Sequence, residues 1–442
     1  MSTETDALFE RLVSASRAAI QESQALAVGD GRARLSQDAM EAIAVDAIRV
    51  ELNRDAESRI RAGRAPLATE QEQTLVRRVT RHVTGLGPVE EFLADEEVEE
   101  IYGHYDYVQV DKGGRPFAVF RDVWPSEQAM LQWLADLARN RGLTERQFNA
   151  GSPLLVLRLR AGMRLSAVRD VSQRAVFNLR RNTLQRVTLD GLVRNGMVPS
   201  HLGALLRVAM ASDLMRIVFV GATGAGKTTL ARACLDELDP SKNVVIVEDT
   251  AEIDMWHRDR HPLFHSFEVR EPNSEGEGGI QMAELVKQTL RHRPDWFCVG
   301  ECRDGDTAAE MLKAMTSGHS SLTTVHAESA RGGIAKLALM LALSESQLNL
   351  SVAHNLIAEG VDLMCHVVRD PRDGRRYISE IIEVAGFDGS QAVVNQIYRA
   401  ADTRFGYSRV ATFSPPLEDR LARLGLDLVG FYRACGAQEV VG

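Results

Sequence analysis

The tightest constraint on this chain is nine residues long. Gly221-Ala222-Thr223-Gly224-Ala225-Gly226-Lys227-Thr228-Thr229 follows directly on the apolar run Met215-Arg-Ile-Val-Phe-Val220. It then opens into the helical pattern Thr229-Leu-Ala-Arg-Ala-Cys-Leu-Asp-Glu-Leu238. A buried strand that ends in a Gly-rich turn and starts a helix is the setting in which backbone N–H groups converge on phosphate. Gly221 and Gly226 let the backbone wrap closely, Lys227 can reach the β- and γ-phosphates, and Thr228 can offer its hydroxyl to Mg²⁺. Lysine is scarce here, six against 46 arginines, so a lysine in this slot is not a by-product of composition. The expectation is a site for a nucleoside triphosphate with Mg²⁺ on an α/β domain.

At 442 residues the chain has room for two or three domains, each with its own core. With 45% hydrophobic and 26% charged residues it reads as globular rather than disordered or fibrous. A net charge of −9 argues against a nucleic-acid partner, because proteins that track phosphate backbones are basic. No apolar run approaches the roughly 20 residues that cross a bilayer. The start, Met1-Ser-Thr-Glu-Thr-Asp-Ala7, has neither the basic opening nor the apolar centre of a secretory leader. A cytoplasmic protein is expected. Cys234, Cys298, Cys302, Cys365 and Cys435 are odd in number, scattered, and free of any Cys-x-x-Cys pair. That spacing favours buried thiols over disulfides or zinc.

Four regions follow from the patterning. Residues 1–64 have helical spacing broken at Gly29-Asp-Gly31 and Gly63, which predicts two or three exposed helices. Residues 65–196 read as an α+β domain. Its helix from Glu70 to Thr84 stops at Gly85-Leu-Gly-Pro88, and a second helix runs from Ser126 to Asn140. Strands are expected at Tyr107–Val110, Phe117–Phe120 (after a turn at Asp111-Lys-Gly-Gly114), Leu154–Leu159, Arg164–Val168 and Ala175–Leu179. Residues 197–385 alternate strand and helix as a parallel α/β domain does, with buried strands at Ile217–Val220, Val244–Val247, Trp296–Val299 and Ser321–Val325. Glu271–Gly279 reads as a loop within it. Residues 386–442 predict a small β-hairpin, then a helix from about Pro416 to Leu424.

Each of the four buried runs is followed at once by polar residues, and open α/β sheets gather ligands at the carboxyl ends of their strands. The second run ends in Glu248-Asp249-Thr250-Ala251-Glu252. These carboxylates either serve the Mg²⁺ shell and the attacking water, or mark an acidic helix start. The third ends in Val299-Gly300-Glu301; a carboxylate there can hold metal or accept a water proton. Around the fourth stand His319 and His326, bracketing the strand in Thr316-Ser-Gly-His319 and Thr323-Thr-Val-His326. Imidazole can bond phosphate or carboxylate and report nucleotide state.

Taken in order, these motifs, with Leu290-Arg-His-Arg-Pro-Asp295, resemble the secretion ATPase superfamily that drives type II secretion, type IV pili and type IV secretion. Within it the chain most resembles the CpaF-type ATPases of tight-adherence pili, from about Gly85 to Val384. The resemblance implies a RecA-like phosphate-loop NTPase domain preceded by an α+β domain and a helical segment. It further implies water activation and magnesium duties shared by Glu248 and Glu301, a histidine box at His319 and His326, and Arg180 and Arg181 reaching nucleotide. The alternative reading of Arg180 and Arg181 is a basic strand edge facing solvent. Arg291, Arg293 and Arg303 also match family arginine positions. Two places depart from the pattern: Tyr102-Gly-His104 stands where relatives carry Asn-Gly, and Leu154–Leu159 lacks an acid.

The implied function is an ATP-hydrolysing motor, a hexameric ring peripheral to the inner membrane that works on a membrane platform protein. A type IV secretion or conjugation ATPase fits nearly the same motifs. A nucleic-acid translocase on the same core and a nucleotide-gated scaffold are the other classes weighed.

Overall fold

In a computed structural model, residues 3–29, 35–112, 117–140, 147–159, 163–181, 187–212, 214–253, 260–270, 272, 276–400 and 411–435 are described. The Asp30–Gly31 part of the first break, Gly113–Gly114 of the expected turn, and Glu271 with residues 273–275 of the expected loop lie outside them. The chain divides into two compact units, residues 1–183 and 184–442.

The first unit opens with helices Thr3–Gly29, Gln37–Arg61 and Thr69–Thr84. The first two are less exposed than their sequence suggests. Leu8, Leu12, Ile48 and Leu52 join Leu75 and Val79 of the third in one buried cluster. A six-stranded antiparallel sheet follows: β1 (Glu100–His104), β2 (Tyr107–Asp111), β3 (Ala118–Arg121), β4 (Leu154–Arg158), β5 (Met163–Val168) and β6 (Val176–Arg181), in the order β3-β2-β1-β6-β5-β4. Alternation drives it, since Leu165, Ala167, Phe177 and Leu179 face inward while Ser166, Asn178 and Arg180 face out. Helix Glu127–Asn140 covers the inner face, and its Trp133 donates Nε1–H to the Leu86 carbonyl at 3.0 Å. The β1 strand is absent from the sequence reading because Ile101 is its one buried residue.

The second unit is built on an eight-stranded sheet: β7 (Arg216–Val220), β8 (Val244–Glu248), β9 (Phe264–Glu268), β10 (Trp296–Val299), β11 (Ser320–Val325), β12 (Leu363–Arg369), β13 (Arg376–Phe387) and β14 (Ala392–Arg399). Its order is β14-β13-β12-β7-β11-β10-β8-β9, parallel from β12 to β9. Helices cover both faces, which is why the central strands are apolar throughout. Ile217 and Phe219 enter one core cluster, Val218 and Val220 the other. Two parallel strands escape the sequence reading. Asp362 and His366 interrupt the apolar run of β12, and the edge strand β9 is largely exposed. The hairpin expected past Gly386 begins at Arg376 instead, and β13 pairs directly with β12, so it extends the main sheet. Helix Pro415–Arg423 lies close to its expected place.

Candidate functional site

The phosphate loop leaves β7 between β11 and β12. Its glycines are required by geometry at three points. A Cβ on Gly221 would lie 2.4 Å from the Val367 carbonyl oxygen on β12. Gly224 and Gly226 have φ of 73° and 102°, a left-handed backbone that side chains disfavour. Gly226 caps the helix Lys227–Leu235, so the free N–H groups of its first turn point out of the loop.

Lys227, the first residue of that helix, is only 6% exposed. Its Nζ donates to the carbonyls of Gly221 and Ala222, both at 3.0 Å, and to His326 Nδ1 at 3.2 Å. Burial pulls its pKa down, against the charges of Glu301 and Glu252. His326 stands just past β11, and its Nε2 pairs with Glu301 Oε1. An ammonium cannot accept, so Nδ1 must, and the imidazole proton sits on Nε2, donated to the carboxylate. The other oxygen of Glu301 accepts from Arg303 Nε at 2.8 Å, and Arg303 Nη1 reaches Asp249 Oδ2 at 3.4 Å. Five residues from four strand ends thus form one chain of contacts: Lys227, His326, Glu301, Arg303, Asp249. Thr324 Oγ1 braces it by donating to the Gly300 carbonyl at 2.8 Å.

Glu248 ends β8 and is 2% exposed. Its Oε1 accepts from the N–H groups of Glu252 and Ile253, at 3.0 and 2.8 Å, fixing the turn that carries Asp249. Its Oε2 is buried without a hydrogen-bond partner among the described residues. Burial pushes the carboxyl up to about 8, outweighing the two N–H groups. Gly300 makes room for it, since a Cβ there would meet Glu248 Cγ at 2.8 Å.

Other expected members lie elsewhere. His319 precedes β11, at the amino rim of the sheet, where its Nδ1 meets the Ala314 carbonyl at 3.2 Å. β11 runs parallel to β7, with Ser321 opposite Arg216 and Val325 opposite Val220. His319 is therefore about 20 Å from the phosphate loop of its own chain, by strand rise. The two histidines do not flank one site within a chain. Arg180 and Arg181 belong to the first unit. Arg180 is exposed there; the Arg181 guanidinium donates to the Asp95 carbonyl at 2.9 Å and to that of Leu93. Among the other arginines, Arg293 adopts φ 50° at the turn before β10. Arg303 takes a more central place than its motif position implies, between Glu301 and Asp249. Cys234, Cys298, Cys302 and Cys365 are buried free thiols.

A Gly-rich loop at the carboxyl rim of a parallel sheet, with a lysine at the helix start and acids on neighbouring strands, defines the RecA-like phosphate-loop class of α/β domain. The chain belongs to the type II/IV secretion system protein family, whose pattern matches residues 155–403. It is 36% identical over 215 residues to a probable conjugal transfer protein TrbB of Sinorhizobium fredii, covering 48% of this chain and 60% of that protein. To the type IV secretion system protein VirB11 of Brucella abortus it is 32% identical over 176 residues, covering 39% and 48%. The chain thus spans between about half and 60% of the length of these curated relatives. Among solved structures it is similar to the ATPase DotB of Legionella pneumophila, with 20% identity, a TM-score of 0.46, and 66% of this chain and 79% of that one covered. No helix among the described residues is long and apolar enough to cross a membrane.

Proposed function

We propose that this chain is an ATP-hydrolysing motor of a secretion or pilus machine. The observation that carries the reading is the chain of contacts from Lys227 through His326 to Glu301, which joins a phosphate-binding group to a carboxylate. On this reading Lys227 exchanges the carbonyls of Gly221 and Ala222 for the β- and γ-phosphates, and loop N–H groups from Gly221 to Thr229 hold the rest. Glu301 takes the proton of the attacking water. His326 ties that carboxylate to the lysine, and Arg303 and Asp249 hold its other side. Glu248 keeps the Asp249 turn in place through the two N–H groups that its Oε1 accepts. The oxygen donors suit Mg²⁺, which takes a hydroxyl, one or two carboxylates and substrate phosphates: Thr228 lies in the first turn of the helix, and Glu301 and Asp249 share the rim. When bound, the metal neutralises developing phosphate charge.

The same reading places the protein at the cytoplasmic face of the inner membrane as a homohexamer acting on a platform protein, with segments 1–64, 65–196, 197–385 and 386–442 as its working parts. His319, Arg180 and Arg181 then act across subunits or not at all. The CpaF-type pilus role rests on the motif resemblance. Relatives named for conjugal transfer and type IV secretion favour the second reading, a transfer ATPase. The acidic balance speaks against a nucleic-acid substrate.

The test is Mg²⁺-ATP hydrolysis per subunit across a protein dilution series, with Glu301→Gln and Lys227→Ala beside wild type. Specific activity should rise with concentration. Glu301→Gln should lose about 100-fold or more in turnover while still binding nucleotide, and Lys227→Ala should lose binding. Full activity in Glu301→Gln would remove the mechanism.

A further inference from the structure

Outside the motifs, one arginine reaches the phosphate loop from 152 positions further along the chain. β12 and β13 run antiparallel with Arg369 opposite Arg376, and residues 370–375 turn between them. The turn is bonded to itself. Asp370 N–H donates to the Arg375 carbonyl and Gly374 N–H to the Asp370 carbonyl, each at 2.8 Å. The Asp370 carboxylate accepts from Arg372 at its backbone N–H (2.9 Å), Nε (3.0 Å) and Nη2 (2.6 Å). Two residues beyond Arg376, the Ile378 N–H donates to the Met197 carbonyl at 3.1 Å. Arg376 thus extends from a backbone fixed on both sides. Its Nε donates to the Gly224 carbonyl at 3.1 Å. Its stem lies on Gly226, where a Cβ would stand 3.1 Å from Arg376 Cδ and 3.0 Å from Met197 Cε. Gly224 and Gly226 are the loop's two left-handed residues. Glycine loses the most backbone freedom when it is fixed, so these are the positions where a brace matters most.

We infer that Arg376 is a positioning residue for the phosphate loop, holding the Gly224–Ala225 peptide with its oxygen outward so that the loop is shaped for phosphate before any ligand arrives. The inference rests on the phosphate-loop reading above. The peptide plane supplies the reason. Across a trans peptide the carbonyl and the following N–H point in opposite directions. With the Gly224 carbonyl held by Arg376, the Ala225 N–H faces back across the loop and meets the Ala222 carbonyl at 3.2 Å. Turned over, the same peptide would bring an oxygen to the side that must receive an anion, where N–H groups are needed. Lys227 holds the Gly221 and Ala222 carbonyls in the meantime, and on the proposed function it leaves them for phosphate. The bond from Arg376 to Gly224 uses no group that phosphate would claim, so it persists through that exchange. Arg376 therefore acts through a backbone carbonyl, and its charge is not the feature that counts.

The test is calorimetric titration of the full chain in Mg²⁺ with ATP and with inorganic tripolyphosphate, comparing wild type, Arg376→Met and Arg376→Gln. The Arg376 side chain is exposed, so neither replacement opens the core. Met keeps an unbranched stem and has no donor. Gln places an uncharged N–H donor as many bonds from the backbone as Nε. Arg376→Met should weaken both ligands by the same factor, about tenfold, and Arg376→Gln should stay within about threefold of wild type. Wild-type affinity in Arg376→Met would overturn the inference. So would a loss confined to ATP, which would make Arg376 a contact of the nucleoside, and so would equal losses in Met and Gln, which would make its charge the active feature. If Arg376→Met does not fold, Arg376→Ala takes its place against Gln with the same expectations. A wild type that binds neither ligand would overturn the phosphate-loop reading, and this inference with it.

Discussion

The two rims of the eight-stranded sheet both carry buried charge and handle it in opposite ways. At the amino rim, Asp362 accepts from the Arg216 backbone N–H at 2.8 Å, from Arg216 Nε at 2.9 Å and from Arg420 Nη2 at 2.9 Å. Burial raises its pKa, but the two guanidiniums outweigh burial and hold it below the usual carboxylate range. Both of its oxygens are occupied. At the carboxyl rim, Glu301 sits in an open chain of contacts that reaches exposed Arg303, and Glu248 keeps one oxygen with no hydrogen-bond partner among the described residues. A closed cluster fixes the fold, whereas an open one retains capacity to bind and to move protons.

The strongest way to break this contrast is Asp362→Ala. It leaves two guanidiniums without their counter-ion and should cost about 4 kcal/mol in denaturant unfolding. A cost under about 1 kcal/mol would erase the distinction. The lowered pKa also fixes a sign. The stabilisation is present above the unfolded carboxyl value and is lost as pH falls through the folded one, so the gap between wild type and Asp362→Asn should stay level through neutral pH and shrink in acid.

Next in size, His326→Ala should reduce turnover by about 100-fold, and His319→Ala by less than about threefold on the geometry of a single chain. Equal losses, measured side by side at saturating Mg²⁺-ATP, would mean that both ends of β11 serve the reaction. Glu248 gives a smaller, pH-dependent effect. With its carboxyl raised to about 8, it contributes stability that is present at low pH and lost as pH rises through that value. Glu248→Gln does not titrate, so its Tm relative to wild type should climb from pH 6 to pH 9, and a flat difference would remove the buried-acid description. Least of all, Thr324→Val removes one buried hydrogen bond to Gly300 and should cost about 1 kcal/mol by thermal or denaturant unfolding.

The loop, its strand and the acids closing β8 and β10 were legible because their chemistry demands fixed residue types at fixed places. Lys227, Glu248, Glu301 and His326 come together at one rim, as strand-end residues of a parallel sheet must. His319 lies apart from them within one chain for a simple reason: residues that bracket a strand stand at opposite rims of the sheet. Arg303 gained its central place through contacts with Glu301 and Asp249 that no spacing announces. The β12 strand hid behind Asp362 and His366, the polar residues that turn out to matter most there. A cavity of about 890 Å³ beside the phosphate loop was invisible because its walls come from separate segments, at Met197, Thr229, His366, Arg376 and Tyr398, with no shared pattern.

The tie between Arg420 and the β7 rim has a consequence for how this protein is made. Arg420 Nη1 donates to the Leu214 carbonyl at 2.5 Å, across 206 positions of chain. On a ribosome, everything from the phosphate loop to His326 is translated before Asp362, and Asp362 well before Arg420. A nascent chain therefore carries every member of the contact chain from Lys227 to Asp249 while the opposite edge of the sheet still lacks a counter-ion and then a clasp. Stalling or cleavage upstream of Pro415 would leave a half-fastened sheet, the sort of late, long-range closure that makes an intermediate prone to aggregate and a fitting client for a chaperone.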